Sequence, residues 1–301
     1  MGYRVCMTSD HFALDRPKVY AHRGASAAFA EHTRAAYLKA LEDGADGVEC
    51  DVHLTRDQHV VLIHDADLDR TSTGTGPVSE RTLEELRGLD FSSWKGARIP
   101  EAYGGVADQI LTLPELLDIL RSAGRDVGLA IELKHPSPYG LKLEERVLEL
   151  LAEEGWTPEE SRLENIQVSF MSFDSDSIQR LLESVPAAHI CQLVDDYTMK
   201  EIREELGLGF LTGGAVANVM KAMQEDAEQI LDQGTVGIAG PGIDYVREHA
   251  RNVQRWMDDG RVFRVWTVDS EKDVALCHGL GIHEITTNKP GQVLAQLMVS
   301  S

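Results

Sequence analysis

The sequence predicts a TIM (β/α)8 barrel, and three observations carry that expectation. Brief apolar runs alternate with longer amphipathic ones along the 301 residues, as a parallel barrel requires when each strand is followed by a crossover helix. Several amphipathic runs begin near Asp, Thr or Pro and stop at Gly, where helix caps belong. No Pro/Ser-rich linker or low-complexity tract divides the chain, so the units read as one body. A doubly wound open sheet is the main alternative for the same alternation.

The strand candidates, in order, are KVYAHRG (18–24), GVECDVHL (47–54), VGLAIELK (127–134) and NIQVSF (165–170). HICQLV (189–194), TVGIAG (235–240), RVFRVWTV (261–268) and EITTN (284–288) complete eight. Helical patterns fall between them at 33–44, 113–124, 143–155 and 244–260. Residues 1–17 read as an N-terminal extension and 18–301 as a single barrel, with an insertion at about 66–110 after the second strand. The insertion has turn chemistry and one short helix, and its place after a strand predicts that it helps cover the site. The stretch from Asp195 to Asp232 is also longer than an ordinary connection.

Bulk charge narrows the functions. With 29 Lys and Arg against 50 Asp and Glu, the formal charge is −21, which opposes nucleic-acid binding and charge-driven attachment to anionic lipid. A phosphate-bearing substrate stays open, because a few local cations or a metal can reverse the field within a cleft. The four cysteines, Cys6, Cys50, Cys191 and Cys277, are scattered and without a CxxC pair, so neither a disulfide framework nor a zinc knuckle is expected. No apolar run reaches the roughly 20 residues of a membrane span, and no signal peptide is evident. The expectation is a soluble, cytoplasmic protein without stable membrane association; homo-oligomerisation is open but nothing indicates it.

The stretch GVECDVHL carries Glu49, Asp51 and His53 on alternate positions of one strand, so their side chains share a face. On a half-exposed strand such residues would simply meet water. Inside a barrel two carboxylates repel unless protonated or bridged, and a hard cation such as Mg²⁺ or Ca²⁺ is the natural bridge. Glu132, at the end of the next main strand, could complete the set. His22 ends the first strand and His64 ends the run VVLIHD; two histidines beside a cation suit general acid and base work near neutral pH. Arg23 offers a planar fork for phosphate and Lys134 a point charge. Together these residues read as phosphodiester cleavage by electrostatic stabilisation. Trp266, at a strand end, is either core or a wall of the site.

Other motifs fail. DADLDRTSTGTG starts like an EF-hand loop, but Arg70 stands at the required glycine and Gly76 at the required Glu. There is no GxxxxGK[ST], HExxH or GxSxG, so neither a P-loop, a common zinc hydrolase nor a nucleophile elbow is supported.

With AHRGASAAFAEHT, GADGVECDVHLTRD, VVLIHD and IELK, the chain resembles the glycerophosphodiester phosphodiesterase family from about Lys18 onward. The HR…ExD…H signature matches His22-Arg23, Glu49-Cys50-Asp51 and His64; LDRTSTGTG, VSF and VWTV match as well. The resemblance implies a TIM barrel, one divalent metal (Mg²⁺ or Ca²⁺) on Glu49, Asp51 and Glu132, and acid–base catalysis by His22 and His64. It further implies a cyclic phosphate that water opens, with Arg23 and Lys134 on phosphate oxygens and Trp266 lining the pocket. The two histidine roles are interchangeable on sequence alone; His22 is assigned as base and His64 as acid. The implied substrate is a small glycerophosphodiester, cleaved to glycerol 3-phosphate and an alcohol.

Two departures stand out. The usual PENT reads Ala30-Glu31-His32-Thr33, and the usual TDxP reads Thr287-Asn288-Lys289-Pro290; these put the helix entry and the support at the last strand in question. Two competing functions remain. A lysophospholipase D-like reaction would need an apolar trough, expected near Phe91 to Trp94 and Ala215 to Met223. A barrel that binds phosphodiesters without cleaving them is the other.

Overall fold

Eight parallel strands close on themselves, and all eight coincide with the sequence runs. A computed structural model describes residues 16–196 and 213–300; residues 1–15, which include Cys6, and 197–212 lie outside it. The barrel strands are β1 (Lys18–Ala21), β2 (Gly47–Leu54), β4 (Val127–Leu133), β6 (Ile166–Ser172), β7 (Ile190–Val194), β8 (Ile238–Pro241), β9 (Val262–Val265) and β10 (Glu284–Thr287). They follow chain order around the barrel, and pairing of β1 with both β10 and β2 closes it. The open doubly wound sheet is thereby excluded. Two short strands are accessory: β3 (Val60–Leu62) runs antiparallel to β2, and β5 (Arg162–Leu163) antiparallel to β6.

Burial explains why these runs form strands. Every residue of β2 and β4 is buried, as both faces of a barrel strand must be. One face meets the helices: α1 (Arg34–Glu42) buries Ala35, Ala36, Tyr37 and Ala40, and the helix Leu113–Arg121 buries five apolar residues behind a Thr112 N-cap. The other face fills the barrel. At the floor Tyr20 lies where a methyl on Gly47 or Gly128 would overlap its ring, so these two glycines make room for it. Arg264 stacks 4.6 Å over Tyr20 and forms a two-bonded pair with Glu284 at 2.7 Å.

Between β3 and the helix Leu113–Arg121 the chain makes its excursion, with the helix Leu83–Arg87 and several 3-10 turns. The excursion has a small core of its own, in which Leu68, Val78, Leu86, Phe91 and Ile110 pack on Val61 and Ile63. Phe91 is spent there, and the indole of Trp94 hydrogen-bonds the Phe91 carbonyl at 3.0 Å. Neither lines the cleft, which corrects the expected apolar trough on that side; the side chains of 215–220, its other expected wall, lie outside the described residues.

The pattern at 244–260 is also two helices rather than one, Ile243–Glu248 and Ala250–Asp258. His249 breaks it at φ −113° and ψ 42°. Its ring stacks on Tyr245 at 4.2 Å and its Nε2 bonds Asp196 at 2.7 Å, contacts that hold the residue out of helical geometry. The described cysteines are free and buried. Among the described residues no helix is long and apolar enough to cross a membrane.

Candidate active site

The expected residues meet at one mouth of the barrel, where the C-terminal ends of the strands open into a cavity of ≈ 780 Å³. That volume suits a small ligand. His22, Arg23, His64, Glu132, Lys134 and Trp266 all line it, and Asp65, Ala66, Asp67, Asp69 and Arg70 form part of its wall.

Strand register creates the acidic centre. Asp51 on β2 pairs with Glu132 on β4, so the two side chains project side by side at the spacing of adjacent strands. Glu49 lies two residues earlier on the same face. Ligand atoms of all three lie within 4.8 Å of one another, and all three residues are buried. Each carboxylate of β2 has one oxygen anchored and one left over. Glu49 Oε2 accepts the backbone N–H of Arg23 at 2.9 Å. Asp51 Oδ2 accepts from His32 Nε2 at 2.8 Å and faces Arg23 Nε at 3.1 Å. Glu49 Oε1 and Asp51 Oδ1 are buried without a hydrogen bond, although Lys134 Nζ stands 3.8 Å from the latter. Lys134 also donates to Glu132 Oε1 at 2.8 Å. Two uncompensated buried oxygens beside a third carboxylate fit a hard divalent cation.

Electrostatics divide the carboxylates. Burial, then the charges of Asp51 and Glu132, push Glu49 well above the usual carboxylate range. Burial opposes the ionisation of Asp51 too, but Arg23, His64 and Lys134 outweigh it and hold its pKa well below. A cation would relieve the repulsion that raises Glu49.

Arg23 sits in the left-handed region at φ 58°, uncommon for a side-chain-bearing residue. That turn aims its amide at Glu49 and its guanidinium at Glu31, 2.9 Å away, and at Asp51. The AEHT departure thus keeps its connections. His32 Nδ1 bonds the Tyr37 hydroxyl at 2.8 Å while Nε2 holds Asp51, and Thr33 caps α1.

Both histidines are held through Nδ1. His22 Nδ1 lies 2.9 Å from Asn288 Oδ1, and His64 Nδ1 lies 2.7 Å from Asp65 Oδ1. Burial, then Arg23, lowers His22 to about 4. Burial, then Lys134 and Arg23, lowers His64 to about 3. His53 is tied to the His64 carbonyl at 3.1 Å, steadying that end of the run. Trp266 packs edge-on against Phe173 at 5.6 Å, with its indole N–H on the Gly240 carbonyl at 2.9 Å.

Sequence reasoning attached no role to Asp65, Arg70, Asp269 or Thr286. Asp65 follows His64 directly and Arg70 stands within the quoted LDRTSTGTG, so a signal existed for both. Asp269 fixes Asn288 across 19 positions, through 2.6 Å and 2.8 Å bonds, which no local pattern reveals. Thr286 lines the cavity floor with a buried hydroxyl that has no hydrogen-bond partner.

Comparisons with known proteins agree. The family model described as "Glycerophosphoryl diester phosphodiesterase family" matches residues 22–292. A Mycobacterium tuberculosis protein named "Probable glycerophosphodiester phosphodiesterase 1" is 35% identical over 289 residues, spanning 96% of this chain and 95% of its own. Two solved structures share the fold. An Oleispira antarctica phosphodiesterase in complex with the product sn-glycerol-3-phosphate has a TM-score of 0.68 at 22% identity, covering 95% of this chain and 98% of its own. A Thermotoga maritima glycerophosphodiester phosphodiesterase has a TM-score of 0.64 at 20% identity, covering 93% and 98%.

Proposed function

This chain belongs to the glycerophosphoryl diester phosphodiesterase family, and from that premise we propose how its cleft hydrolyses glycerophosphodiesters to glycerol 3-phosphate and an alcohol. The carrying observation is the buried Glu49–Asp51–Glu132 cluster with two unbonded oxygens, whose Glu132 lines the cavity together with His22, His64, Arg23 and Lys134. Members of the family depend on a divalent metal. A hard cation, Mg²⁺ or Ca²⁺, on Glu49, Asp51 and Glu132 would supply Lewis-acid stabilisation of phosphoryl charge.

His22 acts as base. Its Nδ1–H is engaged by Asn288 Oδ1, which leaves Nε2 to take the proton of the glycerol 2-hydroxyl. As that oxygen bonds phosphorus, the bond to the alcohol oxygen breaks and Nε2 of protonated His64 gives that oxygen a proton. The products of this step are a cyclic phosphate and the alcohol. Water then opens the ring: neutral His64 takes its proton, the water oxygen bonds phosphorus, and His22 returns its proton to the departing 2-oxygen. Glycerol 3-phosphate results, and both histidines regain their starting states.

Arg23 and Lys134 donate to phosphate oxygens, and the Trp266 ring walls the cavity. The phosphodiester anion itself favours a charged His64, because an opposite charge nearby stabilises the imidazolium against the burial and the two cations that lower it.

The test uses metal-stripped protein and glycerophosphoethanolamine, with Mg²⁺ or Ca²⁺ restored separately. Turnover returns with a cation in the native chain. In Asp51→Asn, cation binding measured by calorimetry weakens and turnover falls about 100-fold or more. Full metal-dependent turnover in Asp51→Asn would overturn the assignment of the cluster.

A further inference from the structure

Arg70 grips two carboxylates that come from different loops. Its Nη1 and Nη2 donate to Glu31 Oε2 and Oε1 at 2.9 and 2.7 Å, and its Nε and Nη2 donate to Asp65 Oδ2 and Oδ1 at 2.6 and 2.9 Å. Behind each carboxylate stands a residue of the cleft. Glu31 Oε1 accepts from Arg23 Nη1 at 2.9 Å, and Asp65 Oδ1 accepts from His64 Nδ1 at 2.7 Å. One guanidinium from the excursion therefore connects the loop after β1 with the turn after β3. A planar fork of five donors can do this; a lysine ammonium, a point charge, cannot match both carboxylates at once.

We propose that Arg70 is a positioning residue: through Asp65 it fixes the His64 imidazole toward the leaving-group oxygen, and through Glu31 it braces Arg23. The proposal rests on the reading of His64 as general acid. Energy of attraction is not the point, because the Arg70 side chain is 45% exposed and exposed pairs contribute little. Geometry is. Among the described residues Asp65 accepts side-chain hydrogen bonds from only His64 and Arg70. Without the guanidinium its carboxylate is free to swing toward water and loosen its hold on His64 Nδ1. Glu31 keeps Arg23 as a partner, so the loss falls chiefly on His64.

The leaving group reports on this role. An alkoxide such as that of ethanolamine departs only as it gains the proton from His64, whereas p-nitrophenolate departs without one. Glycerophosphoethanolamine and the p-nitrophenyl ester of glycerol 3-phosphate are compared in the metal-loaded native chain, Arg70→Met, Arg70→Lys and His64→Ala, with thermal melts confirming the fold. Because His64 also serves the later ring opening, the rate read is leaving-group release in a single turnover: Arg70→Met lowers it on the ethanolamine ester about 10- to 100-fold, part of the range available to general acid catalysis, and changes it on the p-nitrophenyl ester less than about threefold. Arg70→Lys recovers part of the loss; it also serves as the test variant if Arg70→Met does not fold. Equal losses on both esters, or none, overturn the proposal. If His64→Ala separates the esters and neither Arg70 variant does, the acid assignment stands and the Arg70 proposal alone falls. If His64→Ala does not separate them, the acid assignment falls and the proposal with it.

Discussion

Replacing Asn288 with Leu keeps the branched four-atom side chain and removes the amide that orients His22. Asn288 Nδ2 donates to Asp269 Oδ2 at 2.6 Å. A carboxylate only accepts, so the amide has one orientation and its Oδ1 must face the other way. There it accepts from Ser26 Oγ at 2.6 Å and from His22 Nδ1 at 2.9 Å. His22 consequently carries its proton on Nδ1 and presents the lone pair of Nε2. With burial, then Arg23, holding its pKa at about 4, the ring is neutral, as the proposed base must be. In the variant the buried Nδ1–H has no acceptor and the other tautomer becomes accessible. An unpaired buried donor costs about 1–3 kcal/mol, equivalent to roughly 5- to 150-fold in rate. Asp269 keeps Thr287 Oγ1 and the residue 288 amide, both at 2.8 Å, so the loop persists. The expected result is a kcat lower by about 5- to 150-fold with KM within about twofold, read by coupled oxidation of glycerol 3-phosphate at saturating metal. A kcat within twofold of native, or a loss in KM alone, would refute the tautomer reasoning.

Two further outcomes concern stability. Arg264→Met strands Glu284 as an uncompensated charge in the barrel floor and costs about 3–5 kcal/mol in urea unfolding; adding Glu284→Gln recovers at least half, since the penalty lies in the unpaired charge. The pair His135–Glu144, 2.7 Å apart, predicts a pH window. Burial works against both charges, but their mutual hydrogen bond prevails, raising His135 above 6.5 and lowering Glu144 below 4.5. The His135 contribution is complete below 6.5 and lost as pH rises through its folded value. The Glu144 contribution is complete above 4.5 and lost as pH falls through its own. The difference in Tm between native protein and His135→Gln is therefore largest from about pH 4.5 to 6.5 and shrinks as pH moves beyond that window on either side; a pH-independent difference contradicts the pair.

The barrel was legible because each strand lies in a short, mostly apolar run, long enough to bury and too short to be mistaken for a helix. Glu49, Asp51 and Glu132 were legible for the opposite reason: acids inside such runs need a chemical explanation. Connections between loops were not. Arg70 meets Glu31 across 39 positions and Asn288 meets Asp269 across 19, and nothing local encodes either pairing. The break at His249 escaped because helical periodicity continues across it; only stacking on Tyr245 and the bond to Asp196 reveal it. The place of Phe91, which the competing reaction would need in a trough, was not legible, because an apolar loop residue does not announce which surface it will cover; it covers β3. His32 shows how a departure can be absorbed: its ring spans from Tyr37 to Asp51.

The most direct test of the central claim is a ³¹P NMR time course of glycerophosphoethanolamine with the metal-loaded chain, run beside His22→Ala. A transient cyclic phosphate that gives way to glycerol 3-phosphate is expected, with neither signal forming in the variant at matched times. Release of phosphoethanolamine would place the cleavage on the wrong side of phosphorus, and an unchanged time course in His22→Ala would remove the base from the mechanism.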